Sequence, residues 1–257
     1  MNTAFDLRVR VAEGPGSPVL LLHGLGDGCD TFWESGWAGA LVGHHLVAFD
    51  ARGHGGSARP HDLDAYDDGR RVDDALAVLD HAGVTRAHVL GYSMGAWTAM
   101  RLAERAPERV LSLLVGGAHP YGQSLAPLRS LFARGVDAFM AAIERGRGAL
   151  PPAARERMLA NDPRALAAVI ARDREPIDVS RIRSSVIVWA GDRDPFEPLV
   201  VRFANEVRGQ SISVGGADHF AAFDAPIVLR TVSSSIADAS SSASSYANTW
   251  SLPDAST

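Results

Sequence analysis

His88-Val89-Leu90-Gly91-Tyr92-Ser93-Met94-Gly95 runs from a short apolar segment straight into a serine flanked by glycines. The apolar triplet reads as a buried strand, and the stretch from the serine to about Arg105 reads as a helix. A serine between two such elements sits on a sharp turn with its hydroxyl exposed. The glycines two residues to either side remove Cβ atoms that would otherwise clash in that turn. A helix beginning at Ser93 also aims its free N–H groups and the positive end of its dipole at any negative charge developing beside the hydroxyl.

Outward from this turn, short apolar runs alternate with longer helical periodicities. Strands are expected at Phe5 to Val11, Pro18 to Leu22, His45 to Phe49, Val110 to Val115, Val186 to Trp189 and Ser211 to Val214. Val72, Ala75, Leu76 and Leu79 recur at helical spacing, and further helices are expected over Pro198–Val207 and Ala222–Ile236. Strands alternating with helices imply an α/β protein with a mostly parallel, doubly wound sheet of about seven strands, covered on both faces. The segment between Val115 and Val186 lacks strand character. There Leu128, Leu131, Phe132, Val136, Phe139, Met140 and Ile143 keep helical spacing, Leu166, Val169 and Ile170 mark a second helix, and Pro151-Pro152 separates them. A helical insertion of that length reads as a lid. The expected organisation is a core over residues 1–118 and 183–236, a helical cap over 119–182, and a serine-rich, low-complexity tail over 237–257 that cannot bury enough apolar surface to become ordered.

A serine hydroxyl is a poor nucleophile near neutral pH and needs a base, itself oriented by an acid. Of the nine histidines, His219 lies between the last strand and the final helix, where a side chain can swing over Ser93. His23, His54, His81, His88 and His119 are more simply read as turn, helix or loop residues. The orienting acid is expected in Gly191-Asp192-Arg193-Asp194-Pro195. Asp194 is preferred because it stands further out on the loop, with Asp192 as the alternative.

The order Ser93, Asp194, His219 on an alternating chain resembles the α/β-hydrolase superfamily. His23-Gly24-Leu25-Gly26 and the stretch Asp50-Ala51-Arg52-Gly53-His54-Gly55-Gly56-Ser57 extend the likeness, which runs from about Val9 to Ile236. It implies an oxyanion hole made by the backbone N–H groups of Leu25 and Met94, a loop-bracing role for His23 and the Asp50–Ser57 stretch, and a cap inserted after the sixth strand. Three departures stand out. Ala96 and Trp97 occupy positions where relatives often carry another glycine, Asp218 precedes the histidine, and a single strand precedes Val19.

Composition narrows the partners. A net charge of −5 gives no basic footprint for nucleic acid or anionic membranes. No lysine occurs, so all 25 basic residues are arginine. No apolar run approaches the ~20 residues that span a bilayer. The first seventeen residues lack a secretory apolar core, and the single Cys29 fits a reducing compartment; a cytoplasmic protein is expected. The histidines lack metal-ligand spacing, and Gly24-Leu25-Gly26 lacks the third glycine of a dinucleotide loop, so no metal or cofactor is expected. The partner is a small molecule. Phe32, Trp33, Trp37, Phe132, Phe139 and Met140 are candidates to line an apolar pocket. The expected function is a carboxylic-ester hydrolase acting on a small to medium, mainly apolar ester or lactone. Carbon–carbon bond hydrolysis, thioester, amide or perhydrolase chemistry, or a hydrolase-like ligand sensor, are the alternatives. Relatives that cleave carbon–carbon bonds often carry tryptophan where Phe220 stands.

Overall fold

The computed structural model describes residues 6–147 and 149–247. Among them, seven strands form one sheet: β1 (Val9–Ala12), β2 (Gly16–Leu22), β3 (His44–Phe49), β4 (Ala87–Tyr92), β5 (Val110–Gly116), β6 (Ser185–Gly191) and β7 (Gln210–Val214). Their spatial order is β1-β3-β2-β4-β5-β6-β7. β1 runs antiparallel to β3, and every other neighbouring pair is parallel. The helices are α1 (Thr31–Glu34), α2 (Trp37–Ala40), α3 (Asp68–His81), α4 (Met94–Arg105), α5 (Ala126–Phe132), α6 (Val136–Arg147), α7 (Pro152–Ala160), α8 (Pro163–Val169), α9 (Glu197–Glu206) and α10 (Pro226–Ala247).

Both faces of the sheet are apolar, which is why its strands read as continuous hydrophobic runs. Leu20 and Leu22 face a core shared with α3, α4 and α9, while Val19 and Leu21 face a second core closed by α1, α2 and α10. Each fully buried aliphatic side chain contributes about 1.5–3 kcal/mol, so these two faces hold the strand ends in fixed relative positions. The helices start where their sequences supply caps: the Asp67 carboxylate accepts from the Arg70 N–H at 2.7 Å, and Asp162 caps α8 through the Arg164 N–H at 2.8 Å. Among the described residues no helix is long and apolar enough to cross a membrane.

The α/β architecture is the one expected, with three differences of detail. In chain order the helical insertion follows β5, the fifth strand and not the sixth, because one strand alone precedes β2 among the described residues. The insertion holds four helices where two were expected. The apolar spacing from Leu128 to Ile143 is interrupted between α5 and α6, where Gly135 turns the chain at φ +98°. The third helix, α7, buries only Met158 and so carries no apolar stripe to reveal it. Finally, α10 continues through Ser-rich sequence to Ala247, so the first part of the expected tail is helical. Alanines interspersed with serine sustain a helix that composition alone does not suggest. Residues 248–257, including Trp250 and Leu252, lie outside the described residues.

Candidate active site

The chain leaves β2 for β3 on one side, then crosses back to place β4 on the other side of β2. In an open α/β sheet, the carboxyl ends of strands on either side of such a reversal flank a crevice that suits a ligand. Ser93 follows β4 directly, and Gly24, Leu25 and Gly26 follow β2.

Ser93 has φ +54° and ψ −112°, a strained conformation for a residue with a side chain. Packing enforces it. A Cβ on Gly95 would lie 2.0 Å from the Leu22 carbonyl oxygen, and one on Gly91 would lie 2.5 Å from the Gly95 carbonyl oxygen. Both positions therefore require glycine, and the turn is as tight as the motif implies. The Ser93 N–H donates to the Gly116 carbonyl at 2.9 Å, tying the turn to the next strand.

His219 Nε2 lies 3.1 Å from Ser93 Oγ, and its Nδ1 lies 2.6 Å from Asp194 Oδ2. A carboxylate accepts, so Nδ1 carries the proton and Nε2 is left as the acceptor for the serine hydroxyl. The Asp194 side chain is fully buried, and its other oxygen accepts the Phe196 N–H at 3.0 Å. Asp192 is elsewhere, accepting the Gly216 N–H at 2.8 Å to brace the loop ahead of His219. Asp218 accepts from the N–H groups of Phe220 and Ala221 at 3.0 and 2.8 Å. It caps its own turn, while the imidazole is hydrogen-bonded to Asp194 and Ser93.

One supporting residue escaped the sequence reading. The Tyr92 hydroxyl donates to the His219 carbonyl at 2.5 Å, beneath a ring contact with the imidazole at 5.5 Å between centroids. Burial, and then the Asp194 charge, hold the Tyr92 phenol well above its ordinary range, so it remains a donor. The sole signal was its place beside the serine.

The loops behind the site are braced as the resemblance implies. His23 Nδ1 donates to the Gly24 carbonyl at 2.8 Å, and its Nε2 accepts the Ala51 N–H at 2.8 Å. Fully buried Asp50 accepts the Cys29 and Gly56 N–H groups at 2.7 and 2.8 Å. Burial pushes that carboxyl up, but those N–H groups outweigh it and hold it below the ordinary carboxylate range. Burial raises the Cys29 thiol to about 12, so it is no nucleophile. Among the described residues, no group of three or more His, Cys, Asp or Glu side chains is arranged to hold a metal ion.

A cavity of about 1010 Å³ opens over Ser93 and His219, and Leu25 and Met94 also line it. That is the upper end of the range for small-molecule sites. Of the expected aromatic lining, Phe139 is there and the rest is not. Trp37 and Phe32 are fully buried in the core under α1 and α2, Trp37 lying 5.9 Å from Trp189. Trp33 lies beneath the Arg10 guanidinium at 3.9 Å. Phe132 and Met140 pack inside the helical insertion, Phe132 against Phe139 at 4.3 Å between centroids. The first helices turn their apolar side chains onto the sheet, and the insertion needs a core of its own. The cavity takes its apolar wall instead from Ile143, Leu150, Met158, Phe220 and Phe223. Trp97 is also fully buried, donating to Asp68, so the departures after the turn serve the core.

Comparison with known proteins agrees with this arrangement. Residues 17–174 match the model of the alpha/beta hydrolase fold. The chain belongs to that family. Epoxide hydrolase A of Mycobacterium tuberculosis is 39% identical over 99 residues, 36% of this chain and 31% of that protein. An enol-lactonase from Burkholderia xenovorans LB400 superposes with a TM-score of 0.74 at 21% identity, covering 91% of this chain and 95% of its own. A thermophilic esterase from Thermogutta terrifontis superposes with a TM-score of 0.78 at 18% identity, covering 91% and 94%. At such identities the two superpositions speak for the fold alone. The chain spans between 29% and 38% of the length of three curated relatives that it matches.

Proposed function

We propose that this alpha/beta hydrolase is a serine hydrolase that cleaves a small to medium carboxylic ester or lactone through an acyl-enzyme on Ser93. The observation that carries the reading is the unbroken relay from Asp194 Oδ2 through His219 to Ser93 Oγ, at 2.6 and 3.1 Å, at the wall of a largely apolar cavity.

In the first step Nε2 of His219 takes the hydroxyl proton as Ser93 Oγ attacks the carbonyl carbon. Asp194 holds the ring in the tautomer that accepts that proton and stabilises the imidazolium that forms. The negative charge on the former carbonyl oxygen falls to the N–H groups of Leu25 and Met94. Met94 opens α4, where N–H groups have no partner within the helix, and each such donor is worth about 3 kcal/mol in the barrier. His219 then gives its proton to the leaving alcohol and takes one from water as that water attacks the acyl carbon; the imidazolium returns the proton to Ser93 Oγ as the acid leaves. The partner is a small molecule taken from water, in keeping with a cytoplasmic protein that engages neither nucleic acid nor membrane. The insertion acts as the cap of the cavity, with α6 and α7 contributing Phe139 and Met158.

A panel of short- and long-chain esters, lactones and thioesters, assayed with the wild type and Ser93→Ala, tests this reading. Multiple turnovers of an ester or lactone, falling by about 10⁴-fold or more in Ser93→Ala, are the expected result. A single turnover per chain points to a ligand sensor, and preferred turnover of another class points to its chemistry.

A further inference from the structure

Most of the buried or half-buried arginines have a carboxylate partner: Arg52 pairs with Asp74, Arg101 with Asp68 and Glu104, and Arg157 with Asp27 and Glu34. Arg71 and Arg174 do not. Both are half-buried, both line the cavity that holds Ser93, and no carboxylate of the described residues lies within 4.0 Å of either guanidinium. Arg71 donates through Nε to the Tyr66 carbonyl at 3.1 Å and through Nη2 to the Val169 carbonyl at 2.6 Å. Arg174 donates to Gln123 Oε1 at 3.3 Å and lies over the Trp97 ring at 4.9 Å. A guanidinium has five N–H donors, so each keeps donors beyond these bonds.

The acids whose charge acts on these two guanidinium groups have other partners. Asp68 accepts from Trp97 Nε1 and Arg101 Nε, each at 3.0 Å, Asp67 caps α3, and Asp74 is bound to Arg52. Burial, and then the like charge of Arg71, lower Arg174 to about 10, and burial lowers Arg71 as well, against the charge of Asp68. Both remain cations at neutral pH. Asp67, Asp68, Glu104, Asp173 and Glu175 line the same cavity, but none pairs with either guanidinium, so two desolvated cations keep free donors there. A carboxylate suits them, since guanidinium forks match its two oxygens.

We propose that the cavity takes an ester or lactone that itself bears a carboxylate, bound between Arg71 and Arg174 while Ser93 attacks the acyl carbon. This rests on the reading of Ser93 as nucleophile and sharpens it. The apolar wall made by Leu125, Leu128, Phe139 and Ile143 suits the hydrocarbon part of the same molecule, so the substrate is amphipathic and not uniformly apolar.

The test compares monomethyl esters of glutaric to suberic acid, and ω-acetoxy alkanoates, with neutral esters of equal length, in the wild type, Arg71→Gln, Arg174→Gln and Arg174→Lys. In at least one series the wild type is expected to favour the anionic member by about tenfold or more in kcat/KM, the factor one charge-assisted pair supplies. The ratio falls to about one in either Gln variant and is partly kept in Arg174→Lys, with the loss mainly in KM; circular dichroism checks that each variant is folded. Turnover of neutral esters with no anionic preference in either series overturns the proposal and leaves Ser93 as nucleophile. If no ester of either kind is turned over, the Ser93 reading itself fails. The site is then judged by calorimetry with adipate and suberate: binding that the Gln variants abolish upholds it, and no binding overturns it.

Discussion

The hydroxyl of Tyr92 donates to the main-chain carbonyl of His219 at 2.5 Å, so the residue before the serine also holds the loop that carries the imidazole. The end of strand β4 thereby positions both partners of the proposed proton transfer. Removing the hydroxyl in Tyr92→Phe strands a carbonyl and is expected to cost about 1–3 kcal/mol of stability. It should lower kcat by about tenfold while leaving KM within about twofold, because a misplaced ring affects the transition state more than substrate binding. Denaturant titration and steady-state kinetics on one preparation check both.

Asp194 and Asp192 stand two positions apart and do different work. Asp194→Asn replaces an acceptor at His219 Nδ1 with an amide that favours the wrong tautomer, and kcat is expected to drop by about 10³–10⁴-fold. Asp192→Asn keeps an acceptor for the Gly216 N–H and is expected to stay within about threefold. Parallel kinetics of the two variants distinguishes them, and equal damage would remove the assignment of the acid.

Asn161, only 4% exposed, links the insertion to the loops of the site. Its amide donates to the Gly26 carbonyl at 2.8 Å and accepts the Gly55 N–H at 2.9 Å. Gly26 follows Leu25, so this side chain holds the peptide next to the proposed oxyanion donor. Asn161→Ala is expected to lose about 1–3 kcal/mol of stability by leaving buried groups unpaired. It should lower kcat more than it changes KM, and Asn161→Asp, which cannot donate to Gly26, should fail to rescue it.

Acid stability follows from two buried histidines outside the site. Burial, and then the charge of His23, lower His54 to about 3, and burial lowers His88 to about 4, both from 6.5. Below about 6.5 the unfolded chain binds protons that the folded chain refuses, so stability falls as the pH drops through that window towards 4 and 3. The full stability is present above it. Denaturant titrations from about pH 7.5 to about pH 4.5 should show a decline of about 2–3 kcal/mol per unit once below 6.5, about 1.4 from each histidine. His88→Gln is expected to flatten the slope.

What could be read in advance divides along physical lines. The turn at Ser93 was legible because its constraints are local: Gly91 and Gly95 sit where a Cβ would strike backbone. His219 and Asp194 were legible because a wound sheet gathers the ends of its strands along one edge. The cavity wall was not. Whether Trp37 faces a ligand or the sheet depends on how two four-residue helices pack over the sheet, and no periodicity in so short an element records that. Arg71 and Arg174 have no motif, and what sets them apart is the carboxylate that each of them lacks. Tertiary packing alone reveals such a lack.

The proposed hydrolysis depends most on Ser93 becoming covalently acylated. Mass spectrometry of the protein after treatment with a fluorophosphonate, which mimics the tetrahedral intermediate, measures this directly. One adduct per chain, mapped to Ser93, blocking ester turnover and missing in both Ser93→Ala and His219→Ala, is the predicted result. An adduct on another residue, or ester turnover that survives in Ser93→Ala at the wild-type rate, would contradict it.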